Sequence, residues 1–299
     1  MATPKSISRS DGAYETPLFR SAGDCALIVE FGDALDPVIN NAAIAFNARL
    51  RDAAIEHVSE TAATNRSVLI NYDPLELSPA DLRKRLEDLL GEQDWLAAPP
   101  PPGRRRWRLP VIYGGEYGPD LAGIADAAGC GEQEIIAGHG ATDQRVFMVG
   151  FAPGHLYTGL LPDMFALPRL QEIKPSVPPG SVSVAIRQSV VCSTTIPTGW
   201  RTIGRTPFRT FDLKRDPAFL IEAGDELRFE PVDVAHRLPF RTGGVPAIWP
   251  AGFQRAGPWT VARWLKDRAC SGTLQTVRRS RWSEPVADSP LPAVRYGSR

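Results

Sequence analysis

Cysteine and histidine are scarce in this sequence of 299 residues, and neither is clustered. The four cysteines (Cys25, Cys130, Cys192 and Cys270) lie far apart and form no C-x-x-C pair, which argues against a disulfide framework or a zinc site. We interpret them as buried thiols of a reducing compartment. Cys192 follows two valines, which favours packing over nucleophilic chemistry. The four histidines are equally scattered, so a histidine-cluster metal site is not expected.

The sequence also lacks net charge and long apolar runs. Lys and Arg together number 34, as do Asp and Glu, so no bulk electrostatic attraction to nucleic acid or to an anionic membrane is expected. No apolar run is long enough to cross a bilayer. The N-terminal stretch MATPKSISRSDGAYETPLFR has no apolar core of a signal peptide. We therefore expect a cytoplasmic protein with no nucleic-acid or membrane partner.

Familiar catalytic signatures are missing as well. The sequence contains no G-x-S-x-G elbow, no H-E-x-x-H motif, no P-loop and no Rossmann glycine fingerprint after a strand. What is abundant is proline, with 28 residues, beside 26 glycines. This composition predicts many turns and few long helices.

The first part of the chain has an α+β pattern. Residues 1–20 are polar and Ser-rich and are predicted to be a disordered lead-in. CALIVEFG and RSVLINYDP have the character of buried strands. Asp36 and Ser78 each precede a proline, which predicts the N-caps of two helices, and Gly91 is expected to end the second. Residues 21–97 are therefore predicted to form a small α/β domain.

Four consecutive prolines in LAAPPPPGRRRW mark residues 98–105 as a stiff linker, because proline does not fit inside a helix or a central strand. The basic run Arg104–Arg106 beside Trp107 is interpreted as a solvated edge and not as a nucleic-acid site, since no other basic–aromatic cluster accompanies it. Residues 237–299 carry eleven Lys and Arg against three Asp and Glu. We expect this basic tail to be largely irregular.

Short strands separated by Gly and Pro turns dominate residues 106–236. WRLPVIYGG, RVFMVGF, GSVSVAI, SVVCSTTI, WRTIGRTPF and ELRFEPV each have strand length, and PDLAGIADAAGCGEQEIIAGHG indicates two helices around a glycine-marked turn. This spacing predicts a closed or nearly closed β-barrel. We therefore expect the loops between the strands to be rigid, because a flexible linker would not contain apolar runs of strand length such as FMVGF.

Polar side chains within this Gly/Pro frame form a candidate binding constellation. Glycine-rich loops let backbone N–H groups approach an anion, and Arg or Lys neutralises its charge, so a carboxylate, carbamate or phosphate would fit. A surface ion pair is an equal alternative for any single arginine. The constellation consists of His139, His155, Tyr157, Arg169, Lys174, Ser181, Gln188, Trp200, Arg205 and Thr206.

Five segments resemble, in order and spacing, the allophanate hydrolase subunit 1 family: PVIYGGEYGPDL, GFAPG, LPRLQEIKPSVPPGSV, GWRTIGRTP and AGDELRFEPV. That family includes the B subunit of 5-oxoprolinase, relatives that inhibit sporulation kinases, and the carboxyltransferase portion (subdomains C and D) of urea carboxylases. The resemblance extends over residues 23–232 and implies an α+β N-terminal domain followed by a mainly-β, cyclophilin-like barrel. It also implies an obligate partner, the family's subunit 2, which is the C subunit in 5-oxoprolinase. In the oxoprolinase system it implies a further lactam-utilisation subunit.

The sequence departs from the family pattern in several loops. His155 stands where the family usually has phenylalanine, and Ile173-Lys174 replaces a Pro-Arg pair, so that an ammonium takes the place of a guanidinium. Val190 and Thr198 replace loop glycines, which removes the freedom to adopt a positive φ angle in a tight turn around an anion. We interpret the chain as a divergent member.

The predicted catalytic residues are Arg205, Arg169, Lys174 and His155. Arg205 leads because an arginine between barrel strands needs an anionic partner if it is buried. His155 is expected either to act as a general acid or base with a pKa near neutrality or to pack as the family's phenylalanine does. The predicted cofactor-binding residues are Gly154, Ser181, Gln188, Trp200 and Thr206, for which turn formation or packing is the alternative.

The resemblance implies a non-autonomous subunit of an ATP-dependent amide or lactam hydrolase, foremost a 5-oxoprolinase, which converts 5-oxoproline to glutamate. Because this chain has no nucleotide motif, ATP is expected to be shared with or supplied by the partner subunits; the substrate is a small anion, and no metal site is expected. Two alternatives stay open. One is an allophanate hydrolase or urea carboxylase component, which would need biotin through a partner. The other is a non-catalytic regulator that binds a histidine kinase.

Overall fold

The computed structural model describes residues 11–101 and 103–233, so the tail predicted at 237–299 and Cys270 lie outside the described residues. A four-stranded antiparallel sheet with two helices forms the first part. Its elements are β1 (Ala13–Ser21), β2 (Ala26–Gly32), α1 (Pro37–Ala53), β3 (Val58–Ala63), β4 (Ser67–Tyr72), α2 (Pro79–Leu90) and a 3-10 helix (Trp95–Ala97). The strands pair in the order β1-β2-β4-β3. The helices pack on this sheet through an apolar core in which Phe46 lies between Phe31 and Trp95.

Both helices begin where the Asp-Pro and Ser-Pro pairs predict. Asp36 Oδ1 accepts hydrogen bonds from the N–H groups of Val38 and Ile39 at 2.7 and 3.2 Å. Ser78 Oγ accepts from the N–H of Asp81 at 3.1 Å. Since these N–H groups have no partner within the first helical turn, the caps stabilise the helix starts locally. None of the described helices has the length and apolarity needed to cross a membrane.

The prediction of a disordered lead-in at residues 1–20 is wrong over residues 13–20, which belong to β1 (Ala13–Ser21), and β1 pairs antiparallel with β2. The sequence shows no signal for β3 either. Both strands lie at the edges of the sheet, and most of their side chains are exposed or half-buried. They therefore lack the apolar alternation by which a strand is recognised in a sequence.

A seven-stranded closed barrel forms the second part, which confirms the predicted α+β region followed by a mainly-β barrel. Its elements in chain order are β5 (Arg106–Tyr113), α3 (Leu121–Ala128), α4 (Glu132–Ala141), β6 (Gln144–Val149), β7 (Leu156–Gly159), a 3-10 helix (Asp163–Phe165), β8 (Lys174–Val177), β9 (Ser181–Ala185), β10 (Gln188–Val191), β11 (Ile196–Thr198), β12 (Arg201–Arg205) and β13 (Glu226–Pro231). The barrel order is β10-β7-β6-β13-β5-β12-β9, and β13 pairs with β5 in parallel. β8 and β11 form a separate two-stranded sheet, called the arm below.

The basic run before and within β5 is paired with acidic residues at the start of β13. Buried Asp225 accepts hydrogen bonds from the backbone N–H and the guanidinium of Arg105 at 3.0 and 2.8 Å, and from Trp107 Nε1 at 2.9 Å. Arg106 pairs with Glu226 at 3.0 Å. The expectation of a solvated edge holds for Arg106, whose side chain is 59% exposed, but is wrong for Arg105, which is 15% exposed.

Two asparagines connect α1 to the barrel and to the proline-rich segment. Asn40 Nδ2 donates to the carbonyl oxygen of Phe147 at 2.9 Å. Asn41 Nδ2 donates at 2.7 and 3.2 Å to two carbonyl oxygens at the start of the linker predicted at 98–105. The Arg145 guanidinium donates to both amide oxygens at 3.0 and 3.3 Å. The domain boundary itself stays a prediction, but the segment is hydrogen-bonded at its start.

The cysteines differ in environment, contrary to the expectation that all are buried. Cys25 is exposed, Cys130 is half-buried and Cys192 is buried. Burial raises the pKa of the Cys192 thiol to about 12, so this thiol stays protonated near neutral pH. Its environment agrees with the packing role that the preceding valines predict.

Candidate functional site

The arm lies outside the strand order of the closed barrel and packs on it through an apolar cluster. Because the arm lies outside the closed barrel, barrel side chains that contact it point outward. An apolar cluster joins Val177 and Ile196 of the arm to Val190, Cys192 and Trp200. Val190 and Cys192 are two positions apart, as expected for side chains on one face of an extended segment.

Trp200 lies at the centre of this face. Its buried ring contacts Tyr157 edge to face, with the ring centroids 6.0 Å apart. The Cζ atom of Arg169 lies 5.4 Å from the Trp200 ring centroid, within reach of a cation–π interaction. The Arg169 side chain is exposed, and no carboxylate among residues 11–101 and 103–233 pairs with it. We call these three residues the Trp200 platform.

Lys174, a predicted catalytic residue, is held by a carboxylate that sequence reasoning missed. Its ammonium contacts Asp120 Oδ2 in a salt bridge, and the same oxygen accepts the N–H of Thr202 at 2.5 Å. Lys174 therefore has an internal counter-ion. Asp120 lies in the segment PVIYGGEYGPDL quoted above. A single aspartate before a predicted helix is equally typical of a helix cap, so the sequence does not indicate that Asp120 pairs with Lys174.

Arg205 ends β12 on the far side of Thr202 from Trp200. Its Nε donates to the carbonyl oxygen of Pro179 at 2.9 Å, which ties the turn before β9 to β12. Burial lowers the pKa of the Arg205 guanidinium, and the nearby Tyr117 and Glu116 oppose this shift. The side chain is half-buried.

The predicted cations are distributed along β12. Thr202 lies opposite Ser183, and Arg205 opposite Ser181; because Ser181 and Ser183 are two residues apart, all four side chains share one face of the sheet. At about 3.3 Å per residue, the five steps from Trp200 to Arg205 span roughly 16 Å. Arg169 thus lies over Trp200, and Lys174 is linked through Asp120 to Thr202 near the start of β12, whereas Arg205 lies at the other end of this strand.

His155 is 2% exposed and lies between aromatic rings, with centroid distances of 5.7 Å to Phe151 and 5.0 Å to Tyr157. Burial lowers the pKa of His155 to about 4, so the expected pKa near neutrality is wrong. The imidazole is neutral at pH 7. Its Nδ1 has no hydrogen-bond partner within the described part of the chain. These surroundings favour the alternative in which His155 packs in place of phenylalanine.

The predicted cofactor-binding residues have different environments, and their role towards a cofactor stays a prediction. Gly154 has a φ angle of +71°, and a Cβ there would lie 2.6 Å from another side chain, so the turn requires glycine at this position. Ser181 Oγ donates to a main-chain carbonyl at 2.7 Å, and Thr206 Oγ1 accepts a main-chain N–H at 3.2 Å. The buried Nε2 of Gln188 lacks a partner among the described residues, but Gln188 lies at the opposite end of β10 from His155.

His139 from the predicted constellation lies inside the fold and not at the arm. Its Nδ1 is 2.7 Å from the Tyr113 hydroxyl, and its Nε2 is 2.9 Å from Ser189 Oγ. Burial lowers the pKa of His139 to about 3, which keeps the ring neutral. This buried, fully bonded histidine connects α4 with β5 and β10. No group of three or more His, Cys, Asp or Glu that would hold a metal occurs among the described residues.

The two lost loop glycines do not leave a strained turn. Val190 lies in β10 and Thr198 in β11, and neither has a positive φ angle. Both positions therefore have an ordinary strand backbone conformation in this chain. The non-glycine residues with positive φ angles in the described barrel are Phe151, Ile186 and Arg187.

Comparison with known proteins agrees with this architecture. Residues 17–221 match the family model of the carboxyltransferase domain, subdomain C and D. The B subunit of 5-oxoprolinase from Bacillus subtilis (strain 168) is 33% identical over 217 residues, which are 69% of this chain and 89% of the relative. The B subunit of 5-oxoprolinase from Escherichia coli O157:H7 is 39% identical over 130 residues, which are 44% of this chain and 60% of the relative.

Solved structures show the same fold within longer chains. The crystal structure of TTHA0988 is similar with a TM-score of 0.61 at 26% identity; the match covers 72% of this chain and 40% of TTHA0988. The urea carboxylase of Kluyveromyces lactis matches with a TM-score of 0.63 at 17% identity, over 78% of this chain and 24% of that enzyme, which indicates a shared fold and no more. This chain thus spans less than half of either solved chain. Because the family match covers more than half of the sequence and includes most of the barrel, the chain belongs to the family of the carboxyltransferase domain, subdomain C and D, and is a homologue of the B subunit of 5-oxoprolinase.

Proposed function

We propose that this chain is the B-type subunit of a cytoplasmic, ATP-dependent 5-oxoprolinase, which opens 5-oxoproline to glutamate. In this proposal it acts with a C-type subunit and a lactam-utilisation subunit. Support comes from the homology to the B subunit of 5-oxoprolinase over 89% of the length of the Bacillus relative. The candidate site offers the Arg169 guanidinium but no complete set of reacting groups. A subunit that acts only together with partners would have such an incomplete site.

The observation that carries the proposal is the exposed Arg169 guanidinium over the Trp200 ring. A guanidinium presents two parallel N–H groups that match the two oxygens of a carboxylate, and 5-oxoproline has one carboxylate. Because the guanidinium lies within cation–π distance of the ring, we expect less side-chain entropy to be lost when an anion binds. In this proposal Arg169 binds the substrate carboxylate and orients the lactam towards the reacting groups.

The remaining groups of the face explain why a partner is needed. The Cys192 thiol and the Tyr157 hydroxyl have pKa values raised by burial, while the pKa of His155 is lowered to about 4. None of these three side chains is therefore tuned to exchange a proton near neutral pH. The sequence contains no P-loop and no Rossmann glycine fingerprint that would bind ATP. We infer that the partner subunits contribute ATP binding and proton transfer.

Reconstitution tests this proposal. The chain would be co-expressed with candidate C-type and lactam-utilisation subunits, and ATP hydrolysis that depends on 5-oxoproline would be measured. We expect Arg169→Ala to raise the KM for 5-oxoproline by about 10- to 100-fold, since a charge-assisted bidentate contact is lost, and Arg169→Lys to raise it less. Arg85→Ala, which removes an exposed arginine on α2, is the matched control and should leave KM unchanged.

Other outcomes would contradict the proposal in recognisable ways. A stable complex without 5-oxoproline-dependent turnover would overturn it. Turnover with an allophanate-hydrolysing or biotin-carrying partner would support a component of urea breakdown. Stable binding to a histidine kinase without any turnover would support a regulatory protein.

A further inference from the structure

Asp120 connects three parts of the candidate site. Its Oδ2 contacts the Lys174 ammonium of the arm and accepts the Thr202 N–H of β12 at 2.5 Å. Its own backbone N–H donates to the Thr202 carbonyl oxygen at 3.0 Å. The side chains of Asp120 and Lys174 are 22% and 26% exposed, so the ion pair is screened by water less than a fully exposed pair.

The arm carries this contact to Trp200. Lys174 begins β8 and lies opposite Thr198 of β11. Thr198 Oγ1 accepts the backbone N–H of Trp200 at 3.1 Å. Asp120 therefore supports Trp200 from both directions along the chain: through Lys174 and Thr198 on one side, and through Thr202 on the other.

Arg169 depends on the same segment. The N–H of Leu170, the next residue, donates to the carbonyl oxygen of Gly199 at 2.6 Å, and the Arg169 guanidinium lies over the adjacent Trp200 ring. A displacement of Gly199 or Trp200 would thus displace both the backbone and the charged end of Arg169.

We propose that Asp120 is a positioning residue, which holds Lys174 and Thr202 so that the Trp200 platform presents Arg169 to an anion. The identity of that anion, the carboxylate of 5-oxoproline, rests on the proposed function. A carboxylate repels an anionic substrate, so Asp120 acts through its cationic and N–H partners. Lys174 then has an internal role in place of the predicted contact with substrate.

Hydrogen exchange of the full chain tests the positioning directly. Asp120→Asn keeps an oxygen for the Thr202 N–H but removes the charge that holds Lys174. We expect amide exchange in peptides from residues 168–177 and 196–205 to accelerate about tenfold, as for a local opening made easier, while peptides from β13 are unchanged. Asp126→Asn, at an exposed carboxylate on α3, is the matched control. Unchanged exchange in Asp120→Asn would overturn the proposal.

A double-mutant cycle tests whether Asp120 acts through Lys174. Lys174→Met should accelerate exchange in the same peptides, and the double variant Asp120→Asn/Lys174→Met should exceed neither single variant, because both remove one interaction. Lys174→Arg should retain slow exchange, since a guanidinium pairs with the same carboxylate. Additive effects of the two changes would contradict action through Lys174.

The reconstituted complex supplies a functional readout. Asp120→Asn should raise the KM for 5-oxoproline about tenfold and leave kcat within about twofold, because the loss concerns binding of the anion. A fall in kcat at unchanged KM would contradict a positioning role for the anion site. If the wild-type complex shows no turnover with 5-oxoproline, the proposed function fails, whereas the exchange measurements still decide whether Asp120 holds the platform.

Discussion

The Arg145 guanidinium donates to the side-chain oxygen of Asn40 at 3.0 Å and thereby joins β6 of the barrel to α1 of the N-terminal sheet region. Asn40 is fully buried, and its Nδ2 lies within hydrogen-bonding distance of the carbonyl oxygens of Thr64, Asn65 and Phe147. Burial lowers the pKa of the Arg145 guanidinium. Amide oxygens compensate a buried charge less well than a carboxylate, so the Asn40 bonds matter for stability.

Replacing Asn40 should therefore destabilise the whole described fold. Asn40→Leu leaves buried carbonyl groups without their donor and removes one of the two amide oxygens to which Arg145 donates. We expect the free energy of unfolding to fall by about 2–4 kcal/mol. Urea denaturation followed by circular dichroism measures this change. Asn71→Ala, which removes a 3.5 Å bond at an exposed site, should cost less than about 0.5 kcal/mol. Equal effects of the two substitutions would show that the Asn40 connection contributes nothing specific.

Stability should fall at mildly acidic pH because His155 is buried in its neutral form. Its pKa is about 4 in the folded chain and about 6.5 when unfolded. Between these pH values the unfolded chain binds more protons than the folded chain. The contribution of neutral His155 to the free energy of unfolding is therefore fully present above about pH 6.5, and it is lost as the pH falls towards about 4.

His155→Phe isolates this contribution. At about pH 4.5 the wild-type chain should have lost about 2.5 kcal/mol through His155, and the variant should lack that part of the pH dependence. Denaturation curves at several pH values measure the difference. The low pKa of His139 also lowers stability as the pH falls. The His155→Phe variant should therefore keep a pH dependence of stability that is weaker than that of the wild type. Identical pH profiles for the variant and the wild type would contradict the assignment.

Arg205→Ala should abolish turnover of the reconstituted complex while leaving the fold intact. The substitution removes a half-buried guanidinium and its bond to the Pro179 carbonyl, which is expected to cost about 1 kcal/mol of stability. Thermal unfolding and ATP hydrolysis with 5-oxoproline measure the two effects. Arg205→Lys keeps the charge and should retain part of the activity. Full activity of the alanine variant would remove Arg205 from the candidate site.

Local signals explain which elements the sequence predicts well. The Asp36-Pro37 and Ser78-Pro79 pairs act within one turn of the helices that they start, so tertiary contacts are not needed to recognise them. The central strand β2 is also evident, because nearly all of its side chains are buried and apolar. The edge strand β1 and the short β7 and β8 were not recognisable, since their pairing depends on partners elsewhere in the chain.

The amino-acid sequence by itself determined the family, the α+β region, the barrel and the polar side chains of the candidate constellation, because short-range periodicity and motif order carry that information. The tertiary structure alone decided which of those side chains are available to a ligand. It paired Lys174 with Asp120, sealed His155 among aromatic rings and left Arg169 exposed over Trp200. These outcomes follow from contacts between residues distant in sequence, whose burial and counter-ions are set when the arm packs on the barrel.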